Sequence, residues 1–166
     1  MKTLSMNQLP SRKKNRLENI NYTENGVYFI TICSKDKKCI FSKVYPAAND
    51  ALAPEIKLSS IGRILNNAVN DIENHYENVS LVNYVIMPNH IHLLISIEDV
   101  GGRIISAPTV VGSLKRIVSR RAGFSIWQKG FYDHVVRDID DLQIKRDYIE
   151  GNPAQWLLKK DEYCGK

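Results

Sequence analysis

Two strand-like runs that lie only two residues apart constrain the fold of this chain more than any other feature. Residues 81–87 and 90–97 are rich in β-branched and aliphatic side chains, and only Pro88-Asn89 separates them. A parallel pair of strands requires a long crossover connection, whereas an antiparallel pair requires only a short turn. The two runs therefore predict adjacent antiparallel strands in one sheet.

The remaining patterns place further helices and strands around this pair. Runs of β-branched and aromatic residues predict strands, and apolar residues at helical spacing predict amphipathic helices. The predicted elements are a strand at 27–33, a loop with one short edge strand within 41–55, a helix from 58 to about 76 with Ser59 or Ser60 as its N-cap, a helix over 111–122, a strand within 127–136, and a last helix that Asp138 caps and that ends near Gly151-Asn152-Pro153.

These elements follow the order β-α-β-β-α-β, with one further helix at the end. This order predicts an α+β fold: a ferredoxin-like or RNA-recognition-motif-like antiparallel sheet with helices on one face and an added C-terminal helix. We expect ligands on the face of the sheet that the first two helices leave open.

Length and charge narrow the class of protein. The 166 residues allow one domain, expected at 27–166. Residues 1–26 are polar and predict a basic arm with Arg12, Lys13, Lys14 and Arg16. The 23 basic and 18 acidic residues give a net charge of +5, which favours a polyanionic partner. The chain contains neither a membrane-spanning apolar run nor a signal-peptide pattern, so we expect a cytoplasmic protein with no membrane partner.

Two histidines on the second strand of the hairpin are candidate metal ligands. The strand period of two places Ile91, Leu93 and the later isoleucines on one face, and His90 and His92 on the other. Two imidazoles at i and i+2 lie close enough to share a divalent cation. A His-x-His pair by itself is nevertheless more often an incidental feature of a sheet face.

A second candidate group lies in the last predicted helix. Tyr148 and Asn152 stand four residues apart, which places them on one face if the helix persists that far. Pro153 disfavours helical geometry at Asn152. From these residues alone, a half-buried tyrosine and an Asn-Pro helix stop are the simpler interpretation.

The combination of motifs resembles the single-tyrosine HUH transposase family, in its REP-associated tyrosine transposase branch. HUH stands for His, hydrophobic, His, which His90-Ile91-His92 satisfies. The resemblance extends from about Arg12 to Tyr163, and the segments that carry it are YFITIC at 28–33, MPNHIHLLI at 87–95, SLK at 113–115, WQKGFYDHVVR at 127–137 and YIEGNP at 148–153.

The resemblance implies a nuclease and strand transferase that acts on single-stranded or hairpin DNA. His90 and His92 would be metal ligands, Asn152 the third ligand and Tyr148 the nucleophile. The expected cofactor is Mg²⁺ or Mn²⁺, since a tyrosine hydroxyl ordinarily titrates near pH 10 and needs help to attack a phosphate. The product would be a 5′-phosphotyrosine link. Members of the family act as monomers or homodimers, with the tyrosine supplied in cis or in trans.

Basic residues outside this group are candidate phosphate contacts. The expected DNA-binding residues are those of the arm, the outer face of the second helix and the WQKGFYDHVVR segment: Arg12, Lys13, Lys14, Arg16, Lys115, Arg116, Arg120, Arg121 and Arg137. Phe131 and Tyr132 could stack on unpaired bases, whereas Trp127 is expected in the core.

Three alternatives remain open at the level of sequence. A non-catalytic RNA-recognition-motif-like protein has the same order of elements, but its third-strand aromatic signature is missing here. A zinc hydrolase would use His90 and His92 with Asp133 or His134, and leaves Tyr148 without a purpose. An inactive or domesticated transposase relative would keep the motifs after mobility is lost.

Overall fold

The computed structural model describes residues 25–48, 53–102 and 105–159. In chain order the elements are β1 (Gly26–Cys33), a 3₁₀ turn (Lys35–Lys37), β2 (Ser42–Tyr45), β3 (Glu55–Leu58), α1 (Ser60–Asn70), α2 (Ile72–His75), β4 (Val79–Ile86), β5 (His90–Ile97), α3 (Ala107–Ala122), β6 (Tyr132–Val135) and α4 (Ile139–Leu158). The predicted α+β order is confirmed.

A four-stranded antiparallel sheet forms the centre of the fold. Its strands lie in the order β4-β5-β1-β6, and each neighbouring pair is antiparallel. The predicted hairpin of β4 and β5 is confirmed, and the Met87 N–H closes its turn by donating to the carbonyl of His90 at 2.8 Å. The order brings the start of β5 beside the end of β1, where Cys33 pairs with His90.

The two faces of the sheet bury separate apolar clusters. Ile91, Leu93, Ile95 and Ile97 are fully buried against residues of α1 and α3, as the alternation in β5 predicts. On the opposite face, Phe29 and Leu94 are buried together with residues of α4 such as Ile149 and Trp156. Helix α4 therefore covers the face that carries the histidines.

The last helix differs from its prediction. It does not end near Gly151-Asn152-Pro153 but continues to Leu158, with Pro153 inside it. Pro153 cannot donate to the carbonyl of Ile149, which normally disfavours a helix interior. Continuing the helix buries both Pro153 and Trp156 against the sheet, and this burial outweighs the one missing backbone bond.

Two further segments also differ. The helix expected from 58 to about 76 is divided at Asp71 into α1 and α2. Val69 and Ile72, on either side of the break, belong to the same core cluster. The spacing of the apolar residues therefore did not reveal the break. The short strand expected within 41–55 is β2, but it pairs with β3, which begins at Glu55, in a hairpin separate from the main sheet. The predicted N-caps are confirmed: the side chains of Ser59 and Asp138 each accept a backbone N–H of the helix that follows.

Residues 1–24 of the basic arm lie outside the described residues, so its separation from the domain remains a prediction. Among the helices that the structure does describe, none has the length and apolar character needed to span a bilayer.

Candidate active site

The two histidines lie at the first and third positions of β5, on the face covered by α4. Their Nε2 atoms are 3.0 Å apart, and His92 is almost completely buried. The alternation of the strand directs both rings to the same side of the sheet. The sequence prediction of a shared face is therefore confirmed.

Each ring is fixed by a second contact at Nδ1. The Asn89 side-chain oxygen lies 2.7 Å from Nδ1 of His90. This oxygen can only accept, so Nδ1 of His90 carries a proton and Nε2 keeps its lone pair in the neutral ring. The Thr31 hydroxyl lies 2.8 Å from Nδ1 of His92 and can serve either tautomer. Asn89 and Thr31 thus orient the two rings so that their Nε2 atoms converge.

Burial keeps both imidazoles neutral. It lowers the pKa of His90 to about 4, with a smaller lowering by the charge of Lys37 and an opposing effect of a side-chain hydrogen bond with Asn152. Burial also lowers the pKa of His92 to about 3, and the neighbouring His90 adds to the effect. Near neutral pH the ring nitrogens are therefore available to a cation without competition from protons.

Tyr148 lies beside the histidines because α4 crosses this face of the sheet. Its ring centroid is 5.1 Å from that of His92 and 5.7 Å from that of Phe29, both in edge geometry. The side chain is 52% exposed, so its hydroxyl is accessible while its ring is supported. The tyrosine and the histidines come from the same chain.

Asn152 lies one helical turn after Tyr148. It is only 8% exposed, and its side chain hydrogen-bonds to His90. This contact exists because α4 continues through Pro153, which keeps residues 148 and 152 on one face. The structure thus brings together the four residues that the sequence singled out, although their chemical roles remain predictions.

A cleft of about 780 Å³ opens in front of these residues. We call it the histidine cleft; its lining residues are Thr31, Cys33, Lys37, Asn89, His90, His92, Ile144, Asp147, Tyr148, Gly151, Asn152, Gln155, Trp156 and Lys159. Sequence reasoning missed Thr31, Lys37 and Lys159. Thr31 lies two residues after Phe29 on β1, so the strand alternation could have placed both side chains on one face of the sheet. Nothing in the sequence places Lys37 or Lys159 beside the histidines.

The residues present fit a divalent cation. The Nε2 atoms of His90 and His92 converge to 3.0 Å, and neutral imidazole nitrogens are common ligands of divalent transition metals. Among the described residues there is no group of three His, Cys, Asp or Glu side chains that could hold a metal. A third protein ligand would therefore be an amide or hydroxyl oxygen, and Asn152 supplies the amide.

The zinc-hydrolase alternative lacks its proposed third ligand. His134 is paired with Asp141 of α4 at 2.7 Å. Asp133 lies opposite Ile30 in the sheet register and therefore projects toward α1 and α3, away from the histidines. Neither residue completes a site with His90 and His92.

The expected DNA-binding cations are distributed over several surfaces. Arg116, Arg120 and Arg121 lie on α3, behind the sheet from the histidines. The Lys115 ammonium donates to the carbonyls of Gln128 and Gly130 at 2.8 Å each. Arg137 is exposed just before α4, and the arm cations Arg12, Lys13, Lys14 and Arg16 lie outside the described residues. DNA contact by these residues remains a prediction.

Comparison with known proteins gives relatives over most of the chain. An "Uncharacterized protein" of Haemophilus influenzae strain Rd is 30% identical over 170 residues, covering 87% of this chain and 89% of the relative. A "Putative REP-associated tyrosine transposase" of the same organism is 26% identical over 147 residues, covering 81% and 74%. No protein-family model matches the chain.

A solved structure shares the fold. It is a REP-associated tyrosine transposase bound to a REP hairpin, with a TM-score of 0.63 and 19% sequence identity, covering 84% of this chain and 74% of that one. The antiparallel sheet and its four helices thus have the fold of this transposase. The chain is thus a distant homologue of a REP-associated tyrosine transposase, as the motif resemblance predicts.

Proposed function

We propose that this protein is a metal-dependent endonuclease and strand transferase that acts on single-stranded hairpin DNA through a 5′-phosphotyrosine intermediate. One observation carries the proposal: Tyr148 lies against His92 while Asn152 hydrogen-bonds to His90, all in one open cleft. A nucleophile and a set of cation ligands are thereby placed around the same space.

We infer that His90, His92 and Asn152 hold the cation. Two neutral imidazoles and one amide form a mixed nitrogen and oxygen donor set, which suits Mn²⁺ and admits the more abundant Mg²⁺. When bound, such an ion would polarise the scissile phosphate and neutralise the charge that develops on it. Asn89 and Thr31 hold the imidazoles in place for it.

Tyr148 would carry the covalent step. Its hydroxyl oxygen forms a bond to phosphorus as the bond from phosphorus to the 3′ oxygen breaks. The phenolic proton passes to solvent, and the departing oxygen becomes a free 3′-hydroxyl. Attack by another 3′-hydroxyl reverses the step and joins new strands, so no nucleotide cofactor is required. Tyr148 lies beside the histidines of its own chain, which supports a site in which the tyrosine acts in cis.

The surroundings of the cleft support a nucleic-acid substrate. Lys37 and Lys159 line the cleft and can neutralise backbone phosphates on either side of the reacting one. Tyr132 pairs with Thr31, lies on the same face as His92 and is 54% exposed, which suits stacking on an unpaired base. The hairpin form of the substrate rests on the hairpin held by the structurally similar transposase.

The packing of α4 argues against the RNA-recognition-motif alternative. Such a module presents an open sheet face on which bases stack. Here the face opposite α1 and α3 is packed against Ile149 and Trp156 of α4, which leaves the histidine cleft rather than an open platform.

Covalent capture tests the proposed function. Labelled single-stranded hairpin DNA of randomised sequence is incubated with the protein and Mn²⁺ or Mg²⁺, and adducts are separated on a denaturing gel. We expect an adduct with the wild type that disappears with a chelator and with Tyr148→Phe, because only Tyr148 supplies the nucleophile. Sequencing of the captured strands identifies the target.

Tyr45→Phe is the matched control, since it removes a hydroxyl from an exposed tyrosine that does not line the histidine cleft. It should still form the adduct, and Tyr148→Phe should still retain hairpins in a native gel. An adduct that persists in Tyr148→Phe contradicts the mechanism. Hairpin retention without an adduct in the wild type indicates an inactive relative that only binds DNA.

A further inference from the structure

A second cavity of about 360 Å³ adjoins the histidine cleft. It lies between the 3₁₀ turn Lys35–Lys37 and the segment that follows α3, and we call it the flank pocket. Its lining residues are Lys35, Asp36, Lys37, Ser125, Trp127, Gln128 and Lys129. Lys37 lines both cavities, so the two spaces meet at this side chain.

The walls of the flank pocket are tied to the histidine strand by backbone hydrogen bonds. The Lys35 N–H donates to the Ile126 carbonyl at 2.7 Å, and the Gln128 N–H donates to the Cys33 carbonyl at 2.9 Å. The Ser34 N–H donates to the carbonyl of Asn89, the residue before His90, at 2.8 Å. The pocket is therefore held at a fixed position relative to the histidines.

The pocket is cationic. It is lined by the three ammonium groups of Lys35, Lys37 and Lys129 against the single carboxylate of Asp36, and within the described ranges none of the three lysines forms an ion pair. The Lys115 ammonium lies behind the same segment, on the carbonyls of Gln128 and Gly130. An anionic ligand is therefore favoured here.

The turn that joins the two cavities has an unusual backbone. Asp36 and Lys37 have φ values of 56° and 53°, in the left-handed region that side chains other than glycine rarely adopt. For Lys37 this conformation costs about 1 kcal/mol. The surrounding backbone bonds hold it there, and strained residues of this kind are concentrated at ligand-binding sites.

We propose that the flank pocket binds the nucleotide that adjoins those in the histidine cleft, so that the DNA strand passes over Lys37 from one cavity to the other. The inference rests on the proposed function and extends it to a subsite for flanking single-stranded DNA. Lys35, Lys37 and Lys129 take the phosphates on either side of this nucleotide. The exposed side chains of Ser125 and Gln128 face its base.

Salt dependence of binding tests the subsite. Fluorescein-labelled dT12 is titrated with Tyr148→Phe protein in EDTA, so that neither cleavage nor metal contributes. Removing two phosphate contacts should make the slope of log affinity against log salt shallower by about 1.4, since each contact to a single strand contributes about 0.7. We expect this change, and a roughly tenfold weaker affinity near 0.1 M salt, when Lys35→Gln and Lys129→Gln are combined.

The matched control combines Lys38→Gln and Lys43→Gln. It removes the same charge from two exposed lysines that line neither cavity, and its slope should equal that of the parent. Equal slopes for the two double variants overturn the subsite. A second readout replaces one thymine with 5-iodouracil and cross-links by light: the tryptic peptide 122–129 should carry the label, and its absence from the labelled peptides also counts against the subsite.

The adduct assay separates the two proposals. If the wild type forms no tyrosine adduct but the slope and cross-link behave as expected, the nuclease proposal fails and the pocket stands as a binding site for single strands. If adducts form but the two double variants bind alike, the nuclease stands and the flank pocket does not.

Discussion

At the scale of single residues, the histidine pair depends on two neighbours that hold its rings. Asn89 precedes His90 directly, whereas Thr31 belongs to a different strand and reaches Nδ1 of His92 across the sheet. Partners of this kind typically change metal affinity by 10- to 100-fold, because they fix the orientation of the ligating ring. Substitution of Thr31 changes the orientation of the His92 ring and leaves its candidate ligand atom, Nε2, in place.

Thr31→Val should weaken binding of Mn²⁺ to the DNA-free protein by about tenfold. Valine has a similar shape but no oxygen to hydrogen-bond to Nδ1 of His92, so the ring loses its fixed orientation. Isothermal titration calorimetry measures the effect, and Thr31→Ser should restore affinity because it keeps the hydroxyl. Unchanged Mn²⁺ affinity in Thr31→Val would show that this hydrogen bond does not support a metal site.

At the scale of elements, α4 determines whether the site exists. If the helix ended at Pro153, the segment that follows would not bury Trp156 against the sheet or hold Asn152 beside His90. A proline at this position predicts a stop from local rules. The helix continues because its apolar residues on both sides of Pro153 fit the cluster around Phe29 and Leu94, a contact that local rules do not include.

Replacing Gly151 by alanine tests how closely the substrate approaches α4. A Cβ at Gly151 meets no atom within 4 Å, and the same holds for Gly112 on α3. Replacing either by alanine should raise the free energy of unfolding by about 0.5–1 kcal/mol, since alanine has the higher helix propensity. Urea unfolding measures this change.

Only Gly151→Ala should also slow adduct formation, because Gly151 lines the histidine cleft and Gly112 does not. Gly112→Ala is thus the control for the general effect of a more stable helix. Equal adduct rates in the two variants would show that DNA does not come close to this turn of α4.

At the scale of the whole molecule, the buried histidines make stability depend on pH. Their folded pKa values of about 4 and about 3 lie below the ordinary value of 6.5, so the unfolded chain binds more protons in between. Stability is therefore highest above about pH 6.5 and falls as the pH is lowered toward 4. At pH 5 each histidine should contribute a loss of about 2 kcal/mol relative to pH 7.5.

Urea unfolding at pH 7.5 and pH 5 measures this loss. A double variant with His90→Gln and His92→Gln should lose about 4 kcal/mol less than the wild type between the two values. The comparison cancels the contributions of other titrating groups, such as Asp141, whose pKa is lowered by its hydrogen bond with His134. A loss as large in the double variant as in the wild type would show that these histidines are not buried in neutral form.

The sequence by itself determined the order along the chain of the four strands of the main sheet, the β4–β5 hairpin and the common face of His90 and His92. These features follow from the regular spacing of side chains along strands and helices and from the lengths of the connections, both of which can be read from local residue patterns. The resemblance of the motifs to HUH transposases added Tyr148 and Asn152 as candidates, but local rules opposed a shared helical face for them.

Only the tertiary structure decided that α4 passes through Pro153, that Asn152 meets His90, and that Lys37 adjoins both cavities. Each of these depends on contacts between segments far apart in the chain: α4 with the sheet, Thr31 with His92, and the turn after β1 with the segment after α3. The periodicity of one segment does not show how favourably it packs against a distant segment. These contacts can therefore be identified only when the tertiary structure places both segments together.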